Sequence, residues 1–101
     1  MRIEFHTRGL ASDDAAKERT RRRLRFALGR FADRVSRVSI SLEDVNGPRG
    51  GLDKRCRLRL FLNEGGDPLV AEDLDAEIFV AIDRAAKRLG RSLARRLKRS
   101  R

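Results

Sequence analysis

The stretch Ile78-Phe79-Val80-Ala81-Ile82-Asp83-Arg84-Ala85-Ala86-Lys87-Arg88-Leu89-Gly90-Arg91-Ser92-Leu93-Ala94-Arg95-Arg96-Leu97-Lys98-Arg99 decides how this chain folds. Ile78, Phe79, Ile82, Ala85, Ala86, Leu89, Leu93 and Leu97 recur at three- and four-residue spacing and share one face of a helix. Arg84, Arg88, Arg91, Arg95 and Arg99 form a stripe along the flank of that face, with Lys87 among them. The pattern predicts a helix from about Asp75 toward Arg99. Its apolar face must be covered by the rest of the chain. Arg96 falls toward that face, which places the helix end beyond whatever it packs on.

The cover is a sheet. Arg2 to Arg8 alternates with period two, Ile3 and Phe5 inward and Arg2, Glu4 and His6 outward. Val35 to Val45 does the same, with Val38, Ile40 and Leu42 on one side and Arg37, Ser39, Ser41 and Glu43 on the other. Asp53 to Leu62 turns Cys56, Leu58, Leu60 and Leu62 inward and Arg55, Arg57 and Arg59 outward. A short strand follows at Leu69 to Glu72, after the turn signal Glu64-Gly65-Gly66. Between the first two strands, Ser12-Asp13-Asp14 supplies a helix start, and a helix runs to about Asp33 on the stripe Ala16, Thr20, Leu24, Leu28 and Phe31. Phe26 lies opposite Leu24, either as an exposed aromatic or as the mark of an extra residue near Arg25 to Gly29. The order is β-α-β-β-β-α, an α+β sandwich with a four-stranded sheet and two helices on one face.

Charge is distributed unevenly along this frame. Of the formal +10, nine Lys/Arg lie between Arg84 and Arg101 with no acid among them; the sixteen bases before Arg84 meet all fifteen acids. The preceding stretch is acidic, with Glu64, Asp67, Glu72, Asp73, Asp75, Glu77 and Asp83. Asp73, Asp75 and Glu77 early in the helix and bases late in it would complement the helix dipole. Two or three bases would suffice for that; nine repel one another and suit a polyanion.

At 101 residues with 40% hydrophobic content the chain is expected to form one domain, residues 1–101, with a single modest core. No apolar run approaches a membrane span or signal-peptide core, so the expected location is the cytoplasm, with no membrane partner. One cysteine, Cys56, cannot close an internal disulfide, and one histidine, His6, cannot build a His-rich metal site. There is no nucleophile–base–orienter set, metal-ligand spacing or phosphate-loop motif, so neither an enzyme, a cofactor nor a small-molecule substrate is indicated. The acids between residues 64 and 77 could be drawn as a Mg²⁺ site, but solubility and the dipole account for them.

The segment Ile78-Phe79-Val80-Ala81-Ile82-Asp83, followed by Arg88-Leu89, Arg91, Leu93 and Arg95, resembles the signature of the ribosome hibernation-promoting factor/protein Y family. The β-α-β-β-β-α order is also that family's. The loop from Val45 through Asn46-Gly47-Pro48-Arg49-Gly50-Gly51 to Asp53-Lys54 and Cys56 is similar to that of a branch of short hibernation-factor-like proteins. The resemblance implies a protein without catalysis that binds the small ribosomal subunit and its rRNA between head and body. There it would overlap the paths of mRNA and tRNA anticodon stems and block translation in stationary or stressed cells. At matching positions it makes Arg88, Arg91 and Arg95 rRNA contacts; Arg84, Lys87 and Arg99 join them by their place on the same helix. Longer members carry a second domain that joins two ribosomes. This sequence runs from the basic helix to Arg101, so occlusion of single ribosomes is expected, not bridging.

The chain departs from the family at Phe79, where a tyrosine is usual, and in a first helix one residue longer. Arg21, Arg22, Arg23 and Arg25 are therefore candidate RNA contacts only by clustering, equally readable as a solvated face. Arg55, Arg57 and Arg59 are either cross-strand partners of Glu43 and Glu4 or a second RNA surface. The 46–51 loop either presents amides to a phosphate or is a tight connection. A general duplex RNA- or DNA-binding protein remains the alternative, since a phosphate-tracking stripe does not say which polyanion it follows. Only five aromatics, all Phe, argue against base stacking on single strands.

Overall fold

The computed structural model describes residues 1–9, 13–45 and 52–99, the side chain of Arg99 excepted. The elements are β1 (Arg2–Arg8), α1 (Asp14–Leu28), a 3₁₀ segment (Gly29–Arg34), β2 (Val35–Asp44), β3 (Lys54–Leu62), β4 (Leu69–Asp75) and α2 (Ile78–Arg99). The sheet has the order β1-β2-β3-β4. β1 runs parallel to β2, and the other two pairings are antiparallel. A parallel pair needs a crossover, which α1 and the 3₁₀ segment provide. The expected α+β architecture is the one observed.

The period-two readings of β1, β2 and β3 are realised. Val38, Ile40, Leu42, Cys56, Leu58 and Leu60 are all fully buried and join Ala16, Leu24 and Leu28 of α1 with Ala81, Ile82, Ala85, Leu89 and Leu93 of α2 in one core. Since one sheet face meets residues of both helices, both lie on that face. Gly65 and Gly66, at φ +84° and +91°, make the turn that returns β3 into β4, where side chains with a Cβ would be strained.

Three boundaries differ from the sequence reading by more than one residue. α1 stops at Leu28 instead of Asp33, because Gly29 adopts φ +50° and its N–H donates to the Arg25 carbonyl. Phe31 consequently sits in the 3₁₀ segment, partly buried against the core. β4 continues to Asp75, and α2 begins at Ile78 with no acid in its first turn. Asp73 and Asp75 therefore belong to a strand, and the dipole account of them fails. Asp75 Oδ2 instead accepts the Glu77 N–H at 2.9 Å in the turn into α2. At the start of α1, Asp13 is the cap, its Oδ1 accepting from the Ala16 N–H at 3.0 Å. Ser12 and the 46–51 loop, with the phosphate-cradle reading of the latter, lie outside the described residues.

The register decides the outer face. Arg55 pairs with Glu43 at 3.0 Å and with Glu72 at 3.4 Å, Arg57 with Glu72 at 3.5 Å, and Arg37 with Glu4 at 3.0 Å. Arg37 and Arg59 both lie over the Phe61 ring, at 3.9 and 5.6 Å from its centroid. Arg55 and Arg57 take the cross-strand role, whereas Arg59 finds only Phe61 on its own strand. Asp53, just before β3, is a buried carboxylate held by Lys54 Nζ at 2.8 Å.

Burial pushes the Cys56 thiol up to about 12, and the negative charge of Asp73 adds to the shift. A buried thiol so far from ionisation should be inert at neutral pH. Native protein incubated with Ellman's reagent should release no aryl thiolate, and denaturant should release one equivalent. Prompt reaction of the native protein would mean that the sheet opens over Cys56.

A Cβ on Gly90 would stand 2.7 Å from the Ala27 carbonyl oxygen of α1. That oxygen is helix backbone and cannot swing away. Overpacking costs about 1–3 kcal/mol, against the roughly 1 kcal/mol that alanine gains over glycine in a helix. Gly90→Ala should therefore be destabilising, by up to about 2 kcal/mol net, and thermal unfolding should show a lower Tm. A raised Tm would mean that the helices do not touch there.

Candidate nucleic-acid interface

Close approach at Gly90 brings the polar flanks of α1 and α2 within reach of each other. Arg19 reaches across and donates to Asp83 twice, Nε to Oδ1 at 3.0 Å and Nη2 to Oδ2 at 2.7 Å. Arg23, one turn further along α1, adds Nε to Oδ1 at 3.0 Å. The paired geometry suits a guanidinium and a carboxylate. The Arg19 hydrogen bonds, with the positive charges of Arg19 and Arg23, hold the Asp83 carboxyl below the usual carboxylate range in spite of partial burial; the same bond raises Arg19. The Arg19 guanidinium also lies 5.5 Å from the centroid of Phe79. Phe79, read from its spacing as part of the apolar face, is 38% exposed and serves this cation.

The other flank of α2 faces β4. Arg84 Nη1 contacts Asp75 Oδ1 at 3.2 Å and Asp73 Oδ2 at 3.7 Å. Arg88 pairs with Asp73 and donates to the Glu72 carbonyl at 2.6 Å. The acidic stretch before the helix thus latches onto the first two arginines of the stripe. Those acids do not gather as a cation site: among the described residues no three His, Cys, Asp or Glu side chains are grouped to hold a metal.

The expected stripe therefore divides. Arg84 and Arg88 are exposed but tied to β4. Lys87 and Arg91 are exposed and have no ion-pair or hydrogen-bond partner among the described residues. Arg95 reaches only Ser92 Oγ, at 3.4 Å, and Arg96 bends back to the Asp67 carbonyl at 3.5 Å. The side chain of Arg99 lies outside the described residues. On α1, Arg22 is exposed and likewise without a partner among the described residues. Arg25 pairs weakly with Glu18 at 3.9 Å, and Arg21 contacts Glu18 at 3.5 Å while lying over Phe5. Arg21 is thereby turned toward β1, away from Lys87 and Arg91.

Between the helices runs a groove of about 540 Å³. Its floor is small and apolar, with Ala27 from α1 and Ala86, Gly90 and Ala94 from α2; Phe26 walls one side, and Arg23, Lys87 and Arg91 stand around it. Two shallower cups adjoin it, one shared by Arg22, Arg23 and Phe26, the other by Lys87 and Arg91 with Arg84 and Arg88. Phe26 is 83% exposed on a regular stretch of α1, so the first of its two readings holds and no residue is inserted. Arg19, Arg23 and Asp83 were not distinguishable as a unit in the sequence. The four-residue step between Arg19 and Arg23 was visible; their partner 64 positions beyond Arg19 was not.

A family model described as "Sigma 54 modulation protein / S30EA ribosomal protein" matches residues 3–101. Among solved structures, the chain is similar to a ribosomal subunit interface protein from Coxiella burnetii, with TM-score 0.80, 18% identity, and 97% of this chain and 99% of that one covered. That identity speaks for the fold alone. It is also similar to the N-terminal domain of Thermus thermophilus Protein Y, with TM-score 0.75, 26% identity, and 94% and 98% covered. No curated protein matches.

Because the folded carboxyl of Asp83 is depressed, its stabilising effect is present above the unfolded carboxylate range and is lost as pH falls through its folded value. Asp83→Asn should lower Tm at pH 7, and the gap between wild type and variant should close as the pH is taken below the ordinary carboxylate range. A gap that stays constant down to strong acid would show that the charge of Asp83 does not stabilise the helix pair.

Proposed function

The chain belongs to the Sigma 54 modulation protein / S30EA ribosomal protein family, a family of ribosome-associated factors, and from this we infer a translation inhibitor that acts on the small ribosomal subunit. In this reading residues 1–101 form one binding domain that lies on rRNA in the channel used by mRNA and tRNA. The inhibition is steric and stoichiometric: a bound protein takes the space that the message and the anticodon stems need, and no bond is made or broken. Ribosomes in the cytoplasm are the partner.

The observation that carries this reading is the set of unengaged cations on α2. Lys87 and Arg91, with Arg95 one turn on, offer guanidinium and ammonium groups to phosphate without first breaking an ion pair to an acid. Arg84 and Arg88 add field, but contact through them means exchanging Asp73 and Asp75 for phosphate. Arg22 and Arg25 extend the surface onto α1. Arg21 contributes little by direct contact because it already lies against Phe5.

Purified small subunits and the protein, mixed across a salt series, test the reading by co-sedimentation. If about five phosphates are neutralised, the log–log slope should be roughly −3.5 to −4.5. Changing Lys87, Arg91 and Arg95 together to Glu should abolish binding while circular dichroism stays unchanged, since none of the three is buried or tied to another element. Normal binding by the folded triple variant would remove these residues from the site. Equal affinity for small subunits and for plain duplex RNA at the same salt would favour a general nucleic-acid-binding protein.

A further inference from the structure

We propose that the groove between α1 and α2 receives an unstacked nucleobase of single-stranded or bulged RNA, with Phe26 as its stacking platform. The proposal rests on the reading of the helical face as an rRNA-binding surface and adds what kind of nucleotide that face selects.

Phe26 is the most exposed large apolar side chain of the described residues, and it stands among the cations Arg22, Arg23, Lys87 and Arg91. Tracking phosphates needs charge only, and an aromatic ring in that position leaves its apolar face in water without return. A base supplies the return, because every base has a π face and stacking is indifferent to its sequence. The groove beside the ring is floored by Ala27, Ala86, Gly90 and Ala94, so it is shallow and smooth, suited to a flat ring and without the deep pockets that anchor the knobs of a peptide helix. Its volume of about 540 Å³ leaves room for a base and its ribose.

The rim fits the rest of a nucleotide. Arg91 and Lys87 stand on the α2 side and Arg22 on the α1 side, so the phosphates before and after a base lying against Phe26 would each meet a cation free of an acid. Asp83, the one acid on the wall, is already held by Arg19 and Arg23 and is screened from a polyanion. The low aromatic count of the chain, read from sequence as an argument against stacking, does not weigh against a single ring placed in this way. An A-form duplex keeps its bases in the stack and cannot offer one to the groove.

The sequence contains neither Trp nor Tyr, so Phe26→Trp introduces a lone indole as reporter. Its fluorescence should be quenched by a single-stranded RNA 12-mer and by small subunits, and left unchanged by a blunt RNA duplex of equal charge. Phe26→Ala should lower the affinity for small subunits roughly five- to 150-fold, the range expected for loss of one stacked base. The salt slope should stay the same, because no phosphate contact is lost; Lys87→Ala should make that slope shallower. Equal affinity of Phe26→Ala and wild type, with wild type still bound to small subunits, would overturn the stacking proposal and leave the proposed function standing. Failure of wild type to bind small subunits at all would instead overturn the proposed function. Equal quenching by the duplex would overturn the choice of an unstacked base. A dimer of the free protein that disappears in Phe26→Ala would assign the groove to a second copy and also overturn the proposal.

Discussion

The contact between α1 and α2 at Gly90 sets the geometry of everything on the helical side of the sheet. Only a hydrogen at that position lets the helix axes come so near, since a methyl would meet the Ala27 carbonyl oxygen at 2.7 Å. At this spacing Arg19 and Arg23 reach Asp83 with direct bonds, and the small side chains on either side of Gly90 leave a trough instead of a filled seam. A wider spacing would loosen the Arg19–Asp83 pair and separate Phe26 from Lys87 and Arg91. Packing, the ion cluster and the candidate interface are in that sense one feature seen at three depths.

The number of bases overstates the number available to a partner. Arg55 and Arg57 are occupied by Glu43 and Glu72 on the outer sheet face, Arg37 by Glu4, Arg19 and Arg23 by Asp83, and Arg84 and Arg88 by the acids of β4. Each exposed pair contributes little to stability by itself. Their effect is selective: they neutralise the cations on either side of the groove and leave Arg22, Lys87 and Arg91 beside it without an acid. The charge surplus along α2 is thereby divided into tied and untied members.

How much of this was legible followed from the range of the interactions involved. Period-two alternation is local, and it placed Val38, Ile40, Leu42, Cys56, Leu58 and Leu60 in the core correctly. The apolar stripe of α2 was equally local, though Phe79 sits at its margin, part-exposed beneath the Arg19 guanidinium. The end of α1 was misjudged because Phe31 continues the three- and four-residue spacing past Gly29, and a positive φ leaves no mark in such a pattern. Asp73 and Asp75 passed for helix-start residues because acids before a basic helix look the same whether they cap it or line the adjacent strand; only the β3–β4 register, Cys56 opposite Asp73 and Lys54 opposite Asp75, tells them apart. Arg84, Arg88, Arg91 and Arg95 were found by spacing, but the division between tied and untied members depends on β4 and could not be read along the helix. The partners of the outer-face Arg55 and Arg57 depend on strand register in the same way, Glu43 lying opposite Arg55 on β2 and Glu72 opposite Arg57 on β4.

The latch of β4 acids on Arg84 and Arg88 gives α2 one electrically quiet flank and one active flank. A body whose basic helix carries free cations on one flank and neutralised ones on the other turns in the field of a polyanion before it touches it. Collisions that begin with the sheet outward are thereby converted into encounters with the helices foremost. Charge arranged in this way acts on the rate of arrival more than on the lifetime of a complex, so under the proposed RNA-binding role the acids of β4, which repel RNA themselves, would turn the flank carrying Lys87 and Arg91 toward it.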